Sequence, residues 1–182
     1  WYTKAAEQGD ASAQNSLALM YRRGEGVLQD DKMALKWRTK AAEQGNVKAQ
    51  TNLGVMYGNG WGVLQDDKMA VKWLTKAAEQ GDAYAQTSLG YRYANGKGVI
   101  QDYKMAVKWY TKAAEQGYAG AQNNLGVMYY YGEGVLQDNV YAYMWGNIVS
   151  SNGDENGGKL RDLAAEIMTP DQIAEAQRLT RE

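Results

Sequence analysis

Neighbouring aspartates are the side chains in this sequence best suited to hold a metal ion or to move a proton. They occur as Asp30–Asp31 and Asp66–Asp67, each at the end of a glycine-containing phrase, GEGVLQD at 24–30 and GWGVLQD at 60–66. An aspartate at a helix start accepts a hydrogen bond from a free backbone amide and interacts favourably with the helix dipole. We therefore interpret both pairs as helix starts and expect no metal and no other cofactor, with a metal site as the alternative.

The glycine-containing segment could in principle be a phosphate-binding loop. It recurs as GKGVIQD at 96–102 and again as GEGVLQD at 132–138. A dinucleotide-binding loop would follow a strand and carry a third glycine where Gln29 stands, and a P-loop would continue into Lys and then Ser or Thr. We interpret the segment as a turn. Its glycines allow the chain to reverse direction between two helices, and Asp30 begins the second helix.

The composition removes several classes of chemistry. The 182 residues include no Cys and no His, which excludes thiolate and imidazole metal sites and catalysis of the Ser-His-Asp or Cys-His type. No S-x-x-K motif occurs, and we predict no catalytic residue and no enzyme activity. Twenty basic against twenty-one acidic residues leave a net charge of −1, which does not favour nucleic acid as a partner. No apolar run reaches about 18 residues, so we expect no membrane insertion.

The elements that carry these side chains repeat with a period of 36 residues. WYTKAAEQG at 1–9 recurs as WRTKAAEQG at 37–45, WLTKAAEQG at 73–81 and WYTKAAEQG at 109–117. Such a period indicates a repeat architecture in which each unit is a small group of helices that stacks on its neighbours.

Each unit contains two predicted helices. Apolar or small residues with helical spacing predict helix A over 46–59, which Asn46 caps and the glycines Gly58, Gly60 and Gly62 stop. The same reasoning predicts helix B over 66–80, behind Asp66 and before a glycine.

The pattern extends along most of the chain. It predicts four helix pairs at 10–44, 46–80, 82–116 and 118–151, preceded by a partial helix B at 1–8, so the repeats occupy 1–151. Residues 152–182 are predicted to form a helical cap whose last helix begins at Thr169, with Pro170 in its first turn and Gln172 completing a capping box. The predicted fold class is all-α, a right-handed α/α superhelical solenoid of helix-turn-helix repeats with a concave face.

The repeat resembles the Sel-one-like repeat family, a relative of tetratricopeptide repeats with a longer turn inside each pair. The resemblance rests on AQTNLGVMY at 49–57, GWGVLQD at 60–66 and KMAVKWLTKAAEQG at 68–81, and it covers 1–151. The segment TPDQIAEAQRL that begins at Thr169 is similar to the end of many bacterial members.

This resemblance implies a bacterial scaffold or adaptor that binds peptides or protein partners in envelope, secretion or host-interaction settings, and hence a periplasmic or secreted location. Cysteine-rich members of the family were associated with binding or slow hydrolysis of β-lactams, but this chain has no Cys. The alternative function is therefore a binder of cell-wall fragments or β-lactam-type ligands with at most feeble hydrolase activity.

Comparison of the repeats with one another indicates where a partner would bind. The units 1–36 and 37–72 differ at 12 positions, nine of which lie between positions 10 and 23 on helix A. Five varied positions share one helical stripe, and by resemblance the tetratricopeptide groove uses this stripe, so we expect it to line the concave face. The alternative is that this variation is neutral change on a solvated surface. Trp61 either contacts a partner at the edge of the site or packs over its own turn. The predicted binding residues are Asn15, Leu19, Arg22, Arg23, Lys48, Thr51, Val55, Asn59, Tyr84, Thr87, Tyr91, Asn95, Asn123, Val127, Tyr130 and Tyr131.

The first residues also lead to an expectation. The sequence begins at Trp1 without Met, and we interpret it as a fragment or mature form. Trp1 and Tyr2 have no preceding unit to cover them, so we predict possible self-association through this end.

Overall fold

Eleven helices account for the regular structure of residues 1–181, which are the residues that the computed structural model describes. No strand occurs within this range. The helices are α1 (Tyr2–Glu7), α2 (Ala11–Arg23), α3 (Asp31–Glu43), α4 (Val47–Asn59), α5 (Asp67–Glu79), α6 (Ala83–Asn95), α7 (Tyr103–Ala114), α8 (Ala119–Tyr131), α9 (Asn139–Ser151), α10 (Glu155–Ala165) and α11 (Pro170–Leu179). Glu182, the last residue of the predicted cap, lies outside the described residues.

The predicted helix A of each repeat corresponds to α2, α4, α6 and α8, and helix B to α3, α5, α7 and α9. Asn46 caps α4 by accepting a hydrogen bond from the amide of Ala49, and Asp66 caps α5 by accepting one from the amide of Met69. The prediction that Gly58 stops helix A is wrong, because α4 runs through this residue and ends at Gly60. Gly60 adopts the left-handed conformation with φ of 70°, which is accessible to glycine at little cost.

The chain divides into two compact units. The first contains Trp1–Leu89 and Lys97–Val99, and the second contains Gly90–Gly96 and the residues from Ile100 onward. Helix α6 therefore contributes residues to both units. None of the helices in residues 1–181 is long and apolar enough to cross a membrane.

The core of the first unit consists of small residues from neighbouring helices packed around one large aromatic. One cluster is formed by Ala6, Ala13, Leu17, Ala18 and Trp37, and a second by Ala41, Ala42, Ala49, Leu53 and Trp73. The two clusters are related by the 36-residue period. Alanine allows adjacent helices to approach closely, and the tryptophan fills the remaining volume.

A glutamine near the start of each helix A connects successive helices of the first unit. The side-chain amide of Gln14 donates to the carbonyl oxygen of Ala6 at 3.0 Å, and its own oxygen accepts from the side chain of Gln44 at 2.7 Å. Gln50 makes the same two bonds with the residues one period further along, at 3.0 and 2.7 Å. These buried bonds satisfy carbonyl groups at the ends of α1 and α3, and the sequence analysis did not identify them.

The last three helices pack together in the second unit. Ala142 of α9, Ala164 of α10 and Ala176 of α11 belong to one buried cluster. A Cβ at Gly146 would lie 2.7 Å from the amide nitrogen of Arg161, so α9 and α10 cross with their backbones in close approach. The capping box at Thr169 and Gln172 is present as predicted, with Pro170 in the first turn.

Candidate functional site

A cavity of about 640 Å³ lies in the first unit, on the surfaces of α2 and α4 and at the start of α6. Seven of the sixteen predicted binding residues line it. The lining residues are Asn15, Leu19, Arg22, Lys48, Thr51, Asn52, Val55, Met56, Trp61, Asp82 and Tyr84. The 36-residue period explains the grouping, because equivalent positions of successive A helices meet the same cavity.

Two polar atoms at this cavity are buried and have no hydrogen-bond partner. They are the side-chain oxygen Oδ1 of Asn15 and the hydroxyl oxygen Oγ1 of Thr51. The Thr51 residue is only 7% exposed. A buried polar atom without a partner costs free energy, and a ligand that donates a hydrogen bond would recover it. Two residues of the cavity lining therefore each hold an unsatisfied polar atom.

An exposed tryptophan forms one wall of the cavity. The Trp61 residue is 51% exposed, and the guanidinium of Arg22 lies 5.6 Å from the centre of its ring. Trp61 was not among the predicted binding residues, although it was the lone aromatic at its position in the repeat. Tyr84, which is 46% exposed, supplies a second aromatic surface. Aromatic side chains provide a large contact area at a small entropic cost.

A smaller cavity of about 350 Å³ adjoins the first and shares Arg22, Met56 and Trp61 with it. Its other lining residues are Gln29, Asp31, Gly60 and Gly62. The second cavity therefore lies beside Trp61, at the turn that joins α4 to α5.

A buried arginine lies behind the cavity wall. Arg38 of α3 is 1% exposed, and its Nη1 donates to the sulfur of Met56 at 2.9 Å, whereas its Nε has no partner. Burial, reinforced by the charge of Arg22, lowers the pKa of Arg38 to about 10. Across the described chain, no carboxylate forms an ion pair with this guanidinium. Arg38 was not predicted as a site residue. The sequence feature that could have indicated it is an arginine at a repeat position where later repeats carry Leu74 and Tyr110.

The second unit contains a cavity of about 210 Å³ between α8 and α10. Four predicted residues line it, namely Asn123, Val127, Tyr130 and Tyr131, together with Asn156, Lys159, Leu160 and Leu163. The rings of Tyr130 and Tyr131 meet edge to face with their centres 5.0 Å apart. The side-chain oxygen of Asn123 is buried without a partner, as is that of Asn15 in the first unit.

The remaining five predicted residues lie outside these cavities. Arg23 is exposed and forms an ion pair with Glu25 at 3.5 Å. Asn59 is also exposed. The hydroxyl of Thr87 donates to the carbonyl oxygen of Ala83 at 2.8 Å.

The amide of Asn95 donates to the carbonyl oxygen of Tyr91, also at 2.8 Å. Tyr91 itself is 46% exposed. Thr87 and Asn95 thus use a donor within their own helix, so each has fewer groups to offer a ligand than the sequence suggests.

The acidic pairs begin helices, as the sequence predicts. Asp30 and Asp66 accept hydrogen bonds at 2.9 Å from the amides of Met33 and Met69, the third residues of their helices. In the part of the chain that the structure describes, no group of three or more acidic, Cys or His side chains could hold a metal ion.

The first residues border a further surface cavity of about 530 Å³. It is lined by Trp1, Tyr2, Ala5, Asp10, Ser12, Ala13 and Ser16. Trp1 is fully exposed and Tyr2 is 55% exposed. The predicted self-association through this end stays a prediction.

Comparison with known proteins places these features in context. A family model described as Sel1 repeat matches residues 1–10, 11–46, 47–82, 83–118 and 119–154. No curated protein matches the sequence.

Solved structures provide further likenesses. One is a protective antigen of uropathogenic Escherichia coli strains that displays an SLR fold, with 42% identity, a TM-score of 0.89 and coverage of 99% of this chain and 39% of that chain. A Sel1 repeat protein from Oxalobacter formigenes has 44% identity, a TM-score of 0.81 and coverage of 89% and 48%. Cysteine rich protein B of Helicobacter pylori has 26% identity, a TM-score of 0.56 and coverage of 72% and 95%.

The chain therefore spans less than half the length of the first two relatives. Together with the helices described above, these likenesses confirm the predicted fold class, an all-α solenoid of helix-turn-helix repeats.

Proposed function

Because the chain belongs to the Sel1 repeat family, as its repeat predicts, we propose that it binds a peptide or a protein segment in the cavity lined by α2, α4 and α6. Members of this family generally act as scaffolds for protein interactions. We assign no catalytic residue. The observation that carries the proposal is the combination, in one cavity, of buried unpartnered acceptors and exposed aromatic rings.

The hydrogen-bond acceptors suit the backbone of a peptide, and the aromatic rings suit its apolar side chains. The oxygens of Asn15 and Thr51 accept hydrogen bonds, and backbone amides are the donors that every peptide offers. Trp61 and Tyr84 bury apolar side chains of the partner. Rigid aromatics and arginines contribute much of the binding energy at protein interfaces, and Arg22 lies against Trp61.

The cavity of the second unit is proposed as an additional contact site. It repeats the pattern of the first on a smaller scale, with a buried acceptor on Asn123 and adjacent rings on Tyr130 and Tyr131.

Selection of end-blocked random peptides on the wild-type protein, followed by fluorescence anisotropy with single variants, tests the proposal. Trp61→Ala and Tyr84→Ala should each weaken binding about tenfold, because loss of an aromatic contact at the centre of an interface typically costs more than 1 kcal/mol. The matched control is Leu28→Ala, which removes an apolar side chain that is 91% exposed in the same unit and outside both cavities. If the selected peptides bind the wild type and all three variants with the same affinity, the proposed site is wrong.

A further inference from the structure

Building on the proposed peptide site, we infer that the cavity selects an acidic peptide and holds an internal Asp or Glu carboxylate against Arg22, with Lys48 and the buried Arg38 completing a cationic environment. Arg22 and Lys48 are exposed side chains that line the cavity. Arg38 is connected to the cavity through Met56, which also lines it.

The buried guanidinium is the strongest observation. Arginine has five donors, yet the one hydrogen bond of the Arg38 side chain goes to a thioether, which is a weak acceptor. Burying a cation is costly unless an opposite charge compensates it. Its lowered pKa has burial as the main cause and the charge of Arg22 as the second, so the two cations repel each other across the wall. An anion beside Arg22 would offset this repulsion.

Comparison of the repeats shows that the fold does not require these cations. The repeat position of Arg22 holds Gly58, Ala94 and Tyr130 in later units, and that of Arg38 holds Leu74, Tyr110 and Gly146. The position of Lys48 holds Ser12, Tyr84 and Gly120 in the other units. Each position carries a cation in only one repeat. Two of the three cations line the cavity, and Arg38 contacts Met56 of its lining.

Two carboxylates lie near the three cations, so the arrangement keeps a net positive charge. Asp82 lines the cavity, but its oxygen caps α6 by accepting from the amide of Ala85 at 2.7 Å. Asp31 lines the adjoining cavity and stands in the first turn of α3. Two cations and one capping carboxylate therefore line the larger cavity, with Arg38 behind it. Because the charge of Arg38 is buried, it is screened less by salt than an exposed charge would be.

The carboxylate is assigned to an internal side chain because two neighbouring cavities border Arg22. The adjoining cavity shares Arg22, Met56 and Trp61 with the larger one, so a peptide chain can continue on both sides of the anion. A terminal carboxylate would leave one of the two cavities empty.

The test compares three peptide pools by anisotropy: end-blocked octapeptides with a fixed central glutamate, the same pool with glutamine, and the glutamine pool with a free terminal carboxylate. The wild type should prefer the glutamate pool over the glutamine pool by about tenfold, the value expected for a charge-assisted hydrogen bond. Arg22→Gln and Arg38→Met should bring this ratio close to one. The matched control Arg23→Gln removes the neighbouring arginine that pairs with Glu25, and it should keep the preference.

The outcomes separate the two proposals. Equal binding of the glutamate and glutamine pools, with Trp61→Ala still weakening both, overturns the acidic preference and leaves the peptide site standing. If Arg22→Gln and Arg23→Gln lose the preference equally, the acidic preference of the cavity is overturned as well. The effect would then come from the net charge of the protein. A preference for the free terminal carboxylate overturns the internal position. Failure of every pool to bind overturns the peptide site and the inference together.

Discussion

Replacement of Arg38 by methionine should stabilise the free protein. The side chain is 1% exposed, has no ionic partner in residues 1–181 and leaves its Nε without a hydrogen bond. Arg38→Met keeps an unbranched apolar stem and removes the buried charge. Replacement of buried ionic groups by apolar side chains of similar volume is often neutral or stabilising by about 1–4 kcal/mol.

The pKa of Arg38 sets an upper limit for the effect. A fall from 12.5 to about 10 corresponds to roughly 3 kcal/mol of unfavourable interaction of the charged form in the folded state. Arg38→Met also loses the hydrogen bond to Met56. We therefore expect an increase of about 1–3 kcal/mol in the free energy of unfolding, or roughly 2–9 °C in Tm for a chain of this size.

The sign of the pH dependence follows from the same pKa. Because the folded state lowers the pKa of a base, the penalty of the charged form is complete below about pH 10 and disappears only as the pH rises from there toward 12.5. The advantage of the variant should therefore be the same at pH 6, 7 and 8.

Urea titrations followed by far-UV circular dichroism measure the effect, and hydrogen exchange of the α3 amides assigns it to the first unit. Leu74→Met is the matched control, because it changes the equivalent buried position of the next repeat and has no charge to remove. A volume-conserving change of this kind usually costs less than about 1.5 kcal/mol. If Arg38→Met lowers the urea midpoint as much as the control does, the charge is compensated within the fold and the reasoning fails.

Two further predictions concern packing between helices. Gly54→Ala should lower the free energy of unfolding by about 1 kcal/mol, because its Cβ would lie 2.7 Å from Cγ of Leu74 and overpacking outweighs the gain in helix propensity. Urea titrations measure the effect. The matched change is Gly120→Ala, whose Cβ meets only a tyrosine ring, and it should be neutral or stabilising by up to about 1 kcal/mol. Equal effects at Gly54 and Gly120 would contradict the steric argument. Gln50→Leu should cost about 1 kcal/mol, because it removes the bonds that Gln50 makes with the Ala42 carbonyl and with Gln80, while these partners keep their bonds to Gly45 and Lys76. Unchanged hydrogen exchange at the α3–α4 junction would contradict this expectation.

Local signals were sufficient to predict the helices. Asn46 and Asp66 begin helices at the predicted places because a capping side chain acts on amides two or three residues away. The capping box at Thr169 was predictable for the same reason. Gly58 was misassigned because glycine inside a helix is tolerated when the surrounding packing supports the helix.

The candidate site was predictable only in part. Variation between repeats selected Asn15, Leu19 and Thr51, which do share a cavity. It could not show that Thr87 bonds to its own helix or that Arg23 pairs with Glu25, because these contacts depend on side-chain geometry.

The period, most helix boundaries and the all-α repeat fold could be predicted from the sequence, because they follow from interactions between residues a few positions apart. Only the tertiary structure showed that Arg38 is buried behind Met56, 18 positions away, and that Arg22 lies over Trp61. A repeat pattern records which positions are free to vary. Which varied side chains face one cavity depends on how successive helices pack, and that packing brings the cations together.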